Sequence, residues 1–428
     1  MTRYDVVICG AGVGGLTLAR ALGIRGRRVL VLDKQLRNAE PYKGEVLQPH
    51  SLLVLEEMGL LPQVLGEAAL VNRLVCAQPS GKLVCALDYR QLPRPYNQCR
   101  VHYYTGIIDL LARDLPTTVE LRRGVTAKSL VVEDDRVTGV RVTDGGEAAV
   151  VRAGLVAAAD GYASGLRGEA GIKVEMDRYE HQVVAFDLTA PDLAPDAVTY
   201  VTRHGIRLLY PMPGGRGRFY AQVPRGSFNK VGRAGFGDWV DWLLGTVPDL
   251  APLGERLRDG IGDARVLSAR RFLSPVWHRP GFVLVGDAAH AVHPMAGQGM
   301  NAAIADGHGV ARHLAGVDTS APEEVDGAVA CYVADRAAKM EFVGRFSHNF
   351  ATLFTSTTWR ERVLAQHILR RHRSNERLSF KVMYNLSGLG VLRFSTLDRL
   401  HQLGLFDPRA KVRPTVRCVP PTEIGATS

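Results

Sequence analysis

Hydrophobic and polar positions follow different rhythms in different parts of this 428-residue chain. Residues 4–9 are largely apolar, a glycine turn follows, apolar positions then recur at helical spacing to about Leu22, and a second apolar run fills residues 28–33. That order predicts strand, turn, helix, strand, the unit of a parallel sheet. Residues 73–99 and 176–275 instead show short alternating runs broken by Pro and Gly, such as 182–188 and 218–223, which predict antiparallel strands. Residues 100–172 return to a helix and β-branched strands, 281–316 to strand, turn and helix, and 322–406 to a helical pattern. The tail after Asp407, with four prolines, reads as irregular.

Composition narrows the picture. With 46% apolar and 22% charged residues the chain is globular, and no stretch approaches the roughly 18 uninterrupted apolar residues of a membrane span. The first strand starts too early for a signal peptide, so the expected location is cytoplasmic. Six cysteines fall in no CxxC or Cys/His cluster, which predicts reduced, mostly buried thiols and no metal. The net charge of +10 comes from 53 basic residues of which only nine are lysine, a pattern of coding bias rather than of nucleic-acid binding. The cluster Arg370, Arg371, Arg373 and Arg377 reads as a solvated helix face ahead of a nucleic-acid or anionic-membrane contact.

Gly10, Gly12 and Gly15 form GxGxxG between the first strand and helix, and Asp33 ends the second strand. Backbone can there approach a pyrophosphate at a helix N-terminus, and the carboxylate can accept from ribose hydroxyls, so the segment reads as a dinucleotide site rather than a plain turn. A second constellation follows the apolar strand at 282–285: Gly286-Asp287-Ala-Ala-His290, Pro294, Gly297-Gln298-Gly299-Met300-Asn301. Its glycine-rich turn opens a helix, whose free amides suit the electron-rich edge of a reduced ring. Together with Asp160-Gly161-Tyr-Ala-Ser164-Gly-Leu-Arg167, this set resembles the class A flavoprotein monooxygenases, the group of para-hydroxybenzoate hydroxylase and the ubiquinone-pathway hydroxylases, over residues 1–345.

The resemblance implies an α/β fold with a Rossmann-like FAD-binding domain (residues 1–72, 100–175 and 276–320), an antiparallel-sheet substrate domain (73–99 and 176–275), and a C-terminal helical region and tail (321–428). It implies bound FAD, with Asp287 on the ribityl chain, Asp160 near the pyrophosphate, Arg100 beside the cofactor, and NADPH or NADH binding transiently. In Tyr42-Lys43-Gly44-Glu45-Val-Leu-Gln48-Pro49, Lys43 stands where the family has an arginine near the flavin edge; it keeps the charge and loses the planar fork. Pro294 would stiffen the loop that places substrate over the ring. His290 reads as structural rather than as a base, and His293, Tyr162 and Ser164 carry no assigned role.

On the substrate side, Arg218-Phe-Tyr220-Ala-Gln222-Val-Pro is similar to the pocket strand of para-hydroxybenzoate hydroxylase, which puts Arg218 toward the flavin and Tyr220 toward substrate; the rival reading is a surface hairpin. Tyr210 and Met212 occupy the positions of that enzyme's carboxylate clamp. A thioether cannot replace a bidentate cation, so the pocket favours a larger, more apolar substrate. Tyr220 or Tyr210 is the candidate partner for a phenolic proton. The expected activity is an NAD(P)H- and O2-dependent hydroxylation or epoxidation of an apolar aromatic or alkene, in bacterial secondary metabolism such as antibiotic biosynthesis. Two rival readings keep the fold: a halogenase or prenyl reductase, though the Trp-x-Trp-x-Ile-Pro halogenase signature is absent, and a cyclase retaining FAD as scaffold. The expected partners are a small apolar substrate and O2, with no nucleic acid, membrane contact disfavoured, and a monomer or homodimer. The apolar stretch 380–406 is expected to pack on the cofactor domain.

Overall fold

The computed structural model describes residues 4–38 and 45–416, so Lys43 lies outside the described residues. The strand Tyr4–Cys9 is central to a mostly parallel sheet, paired with Val29–Asp33 on one side and with Glu147–Ala158 on the other. Val119–Arg123 and Phe282–Leu284 extend it in parallel at the two flanks. Val6, Val7, Ile8, Val29, Leu30 and Val31 are fully buried, which is why these strands read as continuous apolar runs rather than alternating ones. The helices Val13–Ile24 and Gly299–His313 cross so closely that a Cβ on Gly307 would lie 2.5 Å from the Gly14 carbonyl oxygen.

A second, eight-stranded sheet runs His290–Ala291, Arg265–Leu273, Asp177–Thr189, Arg216–Pro224, Gly205–Met212, Asp196–Thr202, Arg73–Ala77, Leu83–Asp88. One pairing departs from the antiparallel expectation: Arg73–Ala77 runs parallel to Asp196–Thr202. These strands lie far apart in sequence, so no hairpin dictates their direction, and the ion pair of the registered residues Arg73 and Asp196 (Nε to Oδ1, 3.1 Å) marks the alignment. A small three-stranded sheet joins Val46–Leu47, Cys99–Val101 and Ala69–Val71.

Four C-terminal helices follow: Pro322–Thr355, Trp359–Ser374, Glu376–Ser387 and Thr396–Leu403. The expectation that the stretch 380–406 packs on the cofactor domain is met only in part: Phe380 and Met383 share a cluster with Val46, Val71 and Ala296, but the C-terminal helices also cover the second sheet. Phe354 and Leu369 pack with Cys76, Val84 and Ile206, and Phe380 and Met383 with Leu87, Tyr89 and Met212, all from the second sheet or its margins. The reason is the edge strand Leu83–Asp88, whose apolar side chains need a cover. Cys9, Cys76, Cys85 and Cys99 are buried free thiols, whereas Cys331 is exposed. Among the described residues no helix is long and apolar enough to cross a membrane.

The glycine turn at residues 10–15 is sterically exact in two places. Gly10 has φ +116°, and a Cβ on Gly15 would lie 2.0 Å from the Gly10 carbonyl oxygen, while one on Gly12 would meet only the Tyr104 hydroxyl at 3.4 Å. Gly15→Ala should therefore lower unfolding stability by roughly 2 kcal/mol or more and Gly12→Ala by less than about 1, as read by urea denaturation. Equal losses would contradict this account of the turn.

Candidate active site

Three loops meet at the C-terminal ends of the parallel strands. In the first, the Ala11 amide donates to Asp33 Oδ2 at 2.7 Å and the Gln35 amide to Oδ1 at 2.8 Å, so the carboxylate that ends the second strand pins the glycine turn while keeping further lone pairs. Tyr104 stands beside Asp33 and Asp287, whose charges add to burial in pushing its phenol up to about 12. In the second loop, Asp160 Oδ2 accepts from the Leu166 amide at 3.3 Å, and Oδ1 is buried with no hydrogen-bond partner. Arg167 reaches from this motif to the Ala288 carbonyl at 2.8 Å and lies over the Phe272 ring, tying it to the third loop.

That third loop, residues 286–301, is held from behind and from the front. Behind it, the fully buried Asp306 carboxylate accepts from His290 Nε2 (2.6 Å), the half-buried Arg336 Nε (2.6 Å) and the Gly286 amide (3.0 Å). Burial alone would raise this carboxyl, but His290 and Arg336 outweigh it and hold it down at about 2. His290 is thus tied through Nε2 to Asp306 behind the loop. In front, the Asn301 carboxamide is saturated. Its oxygen accepts from the Gln48 amide (2.9 Å) and Ser51 hydroxyl (2.6 Å), and its nitrogen donates to the carbonyls of Val46 (2.8 Å) and Gly297 (2.6 Å). Any contact of Asn301 with a ligand is left to its backbone amide, which with those of Gly299 and Met300 lacks an intrahelical partner. Gly297 takes the left-handed conformation (φ +59°), and a Cβ on Gly299 would meet nothing within 4 Å.

Pro294 sits in a short turn anchored by His293, whose Nδ1 accepts from the Met295 amide at 3.1 Å. That bond leaves the proton on Nε2, which donates to His181 Nε2 at 3.1 Å, and the Tyr179 ring meets His293 edge-on at 4.4 Å. Burial, together with His181 and His348, depresses the His293 imidazole to about 3, so it is neutral near pH 7. The loop is thereby fastened to the second sheet.

Arg218, Tyr220 and Tyr210 converge on a residue to which the sequence reading gave no role. Glu45, 3% exposed, pairs with Arg218 through Oε1 and accepts the hydroxyls of Tyr210 (2.6 Å) and Tyr220 (2.7 Å) through Oε2. Arg218 also spans to Asp187 and lies over the Tyr103 ring. Burial raises the Glu45 carboxyl against the pull of Arg218, and burial with the Glu45 charge lifts both phenols well above their ordinary range. Met212 lies in the adjoining apolar cluster with Ala296, Phe380, Met383 and Tyr384. Gln222 goes elsewhere: its amide accepts from Ile206 N at 3.2 Å and donates to the Thr355 carbonyl at 2.8 Å, bracing the sheet to the long helix. Arg100, on the small sheet, is engaged with Gln98 at 3.0 Å. The only advance signals of Glu45 and Asp187 were an acid inside a glycine-flanked motif and one inside a strand.

The residues fit FAD. A buried Asp160 oxygen without a partner, a glycine turn open at Gly12, and a helix start with unpaired amides beside an open Gly299 are what a pyrophosphate and a flavin ring require. The comparisons agree. The family model described as "FAD binding domain" matches residues 3–346. The chain is 29% identical over 309 residues to 6-methylpretetramide 4-monooxygenase of Streptomyces rimosus (71% of this chain, 73% of that one). It is 26% identical over 314 residues to Squalene monooxygenase 1,1 of Brassica napus, covering 71% of this chain but only 61% of that protein. The fold matches that of P. aeruginosa PqsL in complex with 2-aminobenzoylacetate, with TM-score 0.75 and 26% identity over 82% of this chain and 97% of that one.

Two outcomes follow from the buried charges. The Asp306 carboxyl titrates lower folded than unfolded, so its contribution to stability is complete above about pH 4 and is lost as pH falls through about 2. Asp306→Asn should flatten that part of the acid limb in pH-dependent denaturation and cost roughly 3 kcal/mol at neutral pH. Glu45→Ala, which strands two phenols and half of Arg218, should cost roughly 3 kcal/mol as well, and Glu45→Gln clearly less; equal losses would remove the assigned role of the side chain's hydrogen bonds.

Proposed function

The chain belongs to the FAD-binding-domain family of FAD-dependent monooxygenases, and from that premise we propose that its substrate is a large, uncharged aromatic or alkene that it hydroxylates or epoxidises. The observation that carries this reading is the apolar cluster beside the Pro294 turn. Met212, Ala296, Phe380 and Met383 pack there in one apolar cluster, and beside it the Arg218 guanidinium is already shared between Glu45 and Asp187. An acidic substrate would face Glu45 with the Arg218 guanidinium already engaged, at an unfavourable desolvation cost. The substrates in the names of two relatives, 6-methylpretetramide and squalene, support a sizeable ligand.

When bound, FAD supplies the redox chemistry, accepting reducing equivalents from NAD(P)H and delivering one oxygen atom of O2 to the substrate. Gly10, Gly12, Gly15, Asp33 and Asp160 would hold its nucleotide end, Asp287 its ribityl chain, and the amides of Gly299, Met300 and Asn301 its ring edge. The remaining work falls to this chain's side chains. The apolar wall excludes water and sets the substrate's orientation. Tyr210 and Tyr220 stay protonated and donate to Glu45, so a substrate hydroxyl can donate to a phenol oxygen while the phenol passes its proton to the carboxylate.

Purified protein should be yellow, oxidise NAD(P)H, and place one atom of labelled O2 in an apolar polycyclic or polyene product. Met212→Arg should lower kcat/KM on such a substrate by about tenfold or more, since the cation enters an apolar wall. A wild-type preference for small aromatic acids would overturn the substrate assignment.

A further inference from the structure

The helix Thr396–Leu403 is built inside out. Its polar residues Asp398, His401 and Gln402 are buried, and Leu397, Leu400 and Leu403, three residues apart along one face, are 45%, 45% and 55% exposed. This orientation is locked. Asp398 accepts from Arg377 Nη1 at 2.6 Å and Lys381 Nζ at 2.7 Å and closes a capping box with Ser395, while Gln402 reaches His372 at 3.2 Å. Rotating the leucines inward would break buried ion pairs, so their exposure is imposed by the fold. The chain then runs on through Leu405 and Phe406, the latter 78% exposed.

The neighbouring helix Trp359–Ser374 continues the same face. Arg371 Nη2 donates to the Gly404 carbonyl at 2.9 Å and His367 Nε2 bonds the Leu403 carbonyl at 3.2 Å, so the two helices lie side by side, and with the end of the long helix they line a groove of about 250 Å3. Trp359 and Val363, 68% and 61% exposed, stand on its outer side with Arg370 one helical face onward. Charge is concentrated here too: residues 359–416 hold twelve Lys and Arg against four Asp and Glu, a net +8 of the +10 carried by the whole chain, and Asp398 and Asp407 are buried in ion pairs. The arginines are spread along the sequence, but the net positive charge is not. The cluster read as a solvated face is in part internal, since Arg377 binds Asp398 and Asp407.

We propose that this C-terminal face docks the enzyme peripherally on an anionic lipid bilayer, with the leucines, Phe406 and Trp359 entering the headgroup boundary and the surrounding arginines meeting phosphates. Apolar side chains ringed by cations, with a tryptophan at the margin, are what such an interface selects. A second copy of the chain is the poorer occupant, because apposing two copies of this cation-rich region brings like charges together. The third helix of the region, Glu376–Ser387, joins this face to the apolar wall of the pocket, and Gln298 of the flavin loop donates to its Leu386 carbonyl at 2.8 Å. A lipid-dissolved substrate would therefore meet the pocket from the docked side, a corollary that rests on the substrate class proposed above.

The test is vesicle sedimentation of the full-length, flavin-loaded protein, which reads docking without turnover and so stands apart from the substrate assignment. Vesicles enriched in phosphatidylglycerol should bind at least about tenfold tighter than pure phosphatidylcholine, and the binding should weaken as NaCl rises from about 0.1 to about 0.5 M. Leu400→Glu with Phe406→Glu should lower it by about tenfold or more with unchanged flavin absorbance and melting temperature, both sites being exposed. Binding that ignores lipid charge, or survives the double substitution, overturns the proposal. So does analytical ultracentrifugation showing a dimer that the same double substitution dissociates.

Discussion

The carboxamide of Asn301 is the point on which the site's geometry depends. Its four hydrogen bonds join two stretches that lie far apart in sequence: the Gly297 turn, and residues 46–51, through the Val46 carbonyl, the Gln48 amide and the Ser51 hydroxyl. An amide side chain suits the task, because only a group with two donors and two acceptor lone pairs on adjacent atoms can bind a carbonyl pair and an amide–hydroxyl pair at once. Its consequence is spatial. The helix start that would face the flavin ring and the segment that delivers Glu45 to the substrate side are fixed to one another, so the cofactor and substrate halves of the site share one frame.

Around that frame the protein buries charge in closed groups. Asp306 with His290 and Arg336, Glu45 and Asp187 with Arg218, and Asp398 and Asp407 with Arg377 each satisfy themselves internally. Such groups add little net stability over apolar packing, but breaking one leaves an uncompensated charge, so they resist rearrangement. Each links elements far apart in sequence: strand-turn to long helix, cofactor segment to substrate sheet, helix to tail. Against this background the buried Oδ1 of Asp160, which has no hydrogen-bond partner, stands out as a carboxylate oxygen beside the glycine turn.

The sequence carried the parts of this arrangement that depend on local rules. The parallel strands were legible because burial on both faces demands unbroken apolar runs, and Gly10, Gly15 and Gly297 because close approach or a left-handed backbone admits little else. Tyr210, Met212, Arg218 and Tyr220 were legible as one wall because strands alternate. What escaped was long-range. Glu45 is 165 residues from Tyr210 in the chain, and nothing in its neighbours announces that two phenols will donate to it. Gln222 has the right alternation for the pocket yet lies farther along the strand, where the end of the long helix captures it. The parallel pairing of Arg73–Ala77 and the seat of the C-terminal helices on an edge strand are likewise matters of tertiary closure, which periodicity does not encode.

The placement of Glu45 also divides the chemistry between protein and cofactor. A phenol that donates to a buried carboxylate is a poorer base than a free one, because the negative charge beside it disfavours its own ionisation. The same phenol is a better relay, since its oxygen keeps a lone pair for an incoming donor and its proton already points at an acceptor. In the function proposed above, the pair of tyrosines would give the site two relays onto one carboxylate, whose affinity for a proton is set by the balance between its burial and Arg218. Asp187 enters that balance by competing for the same guanidinium, so a strand residue outside the pocket tunes the basicity available inside it.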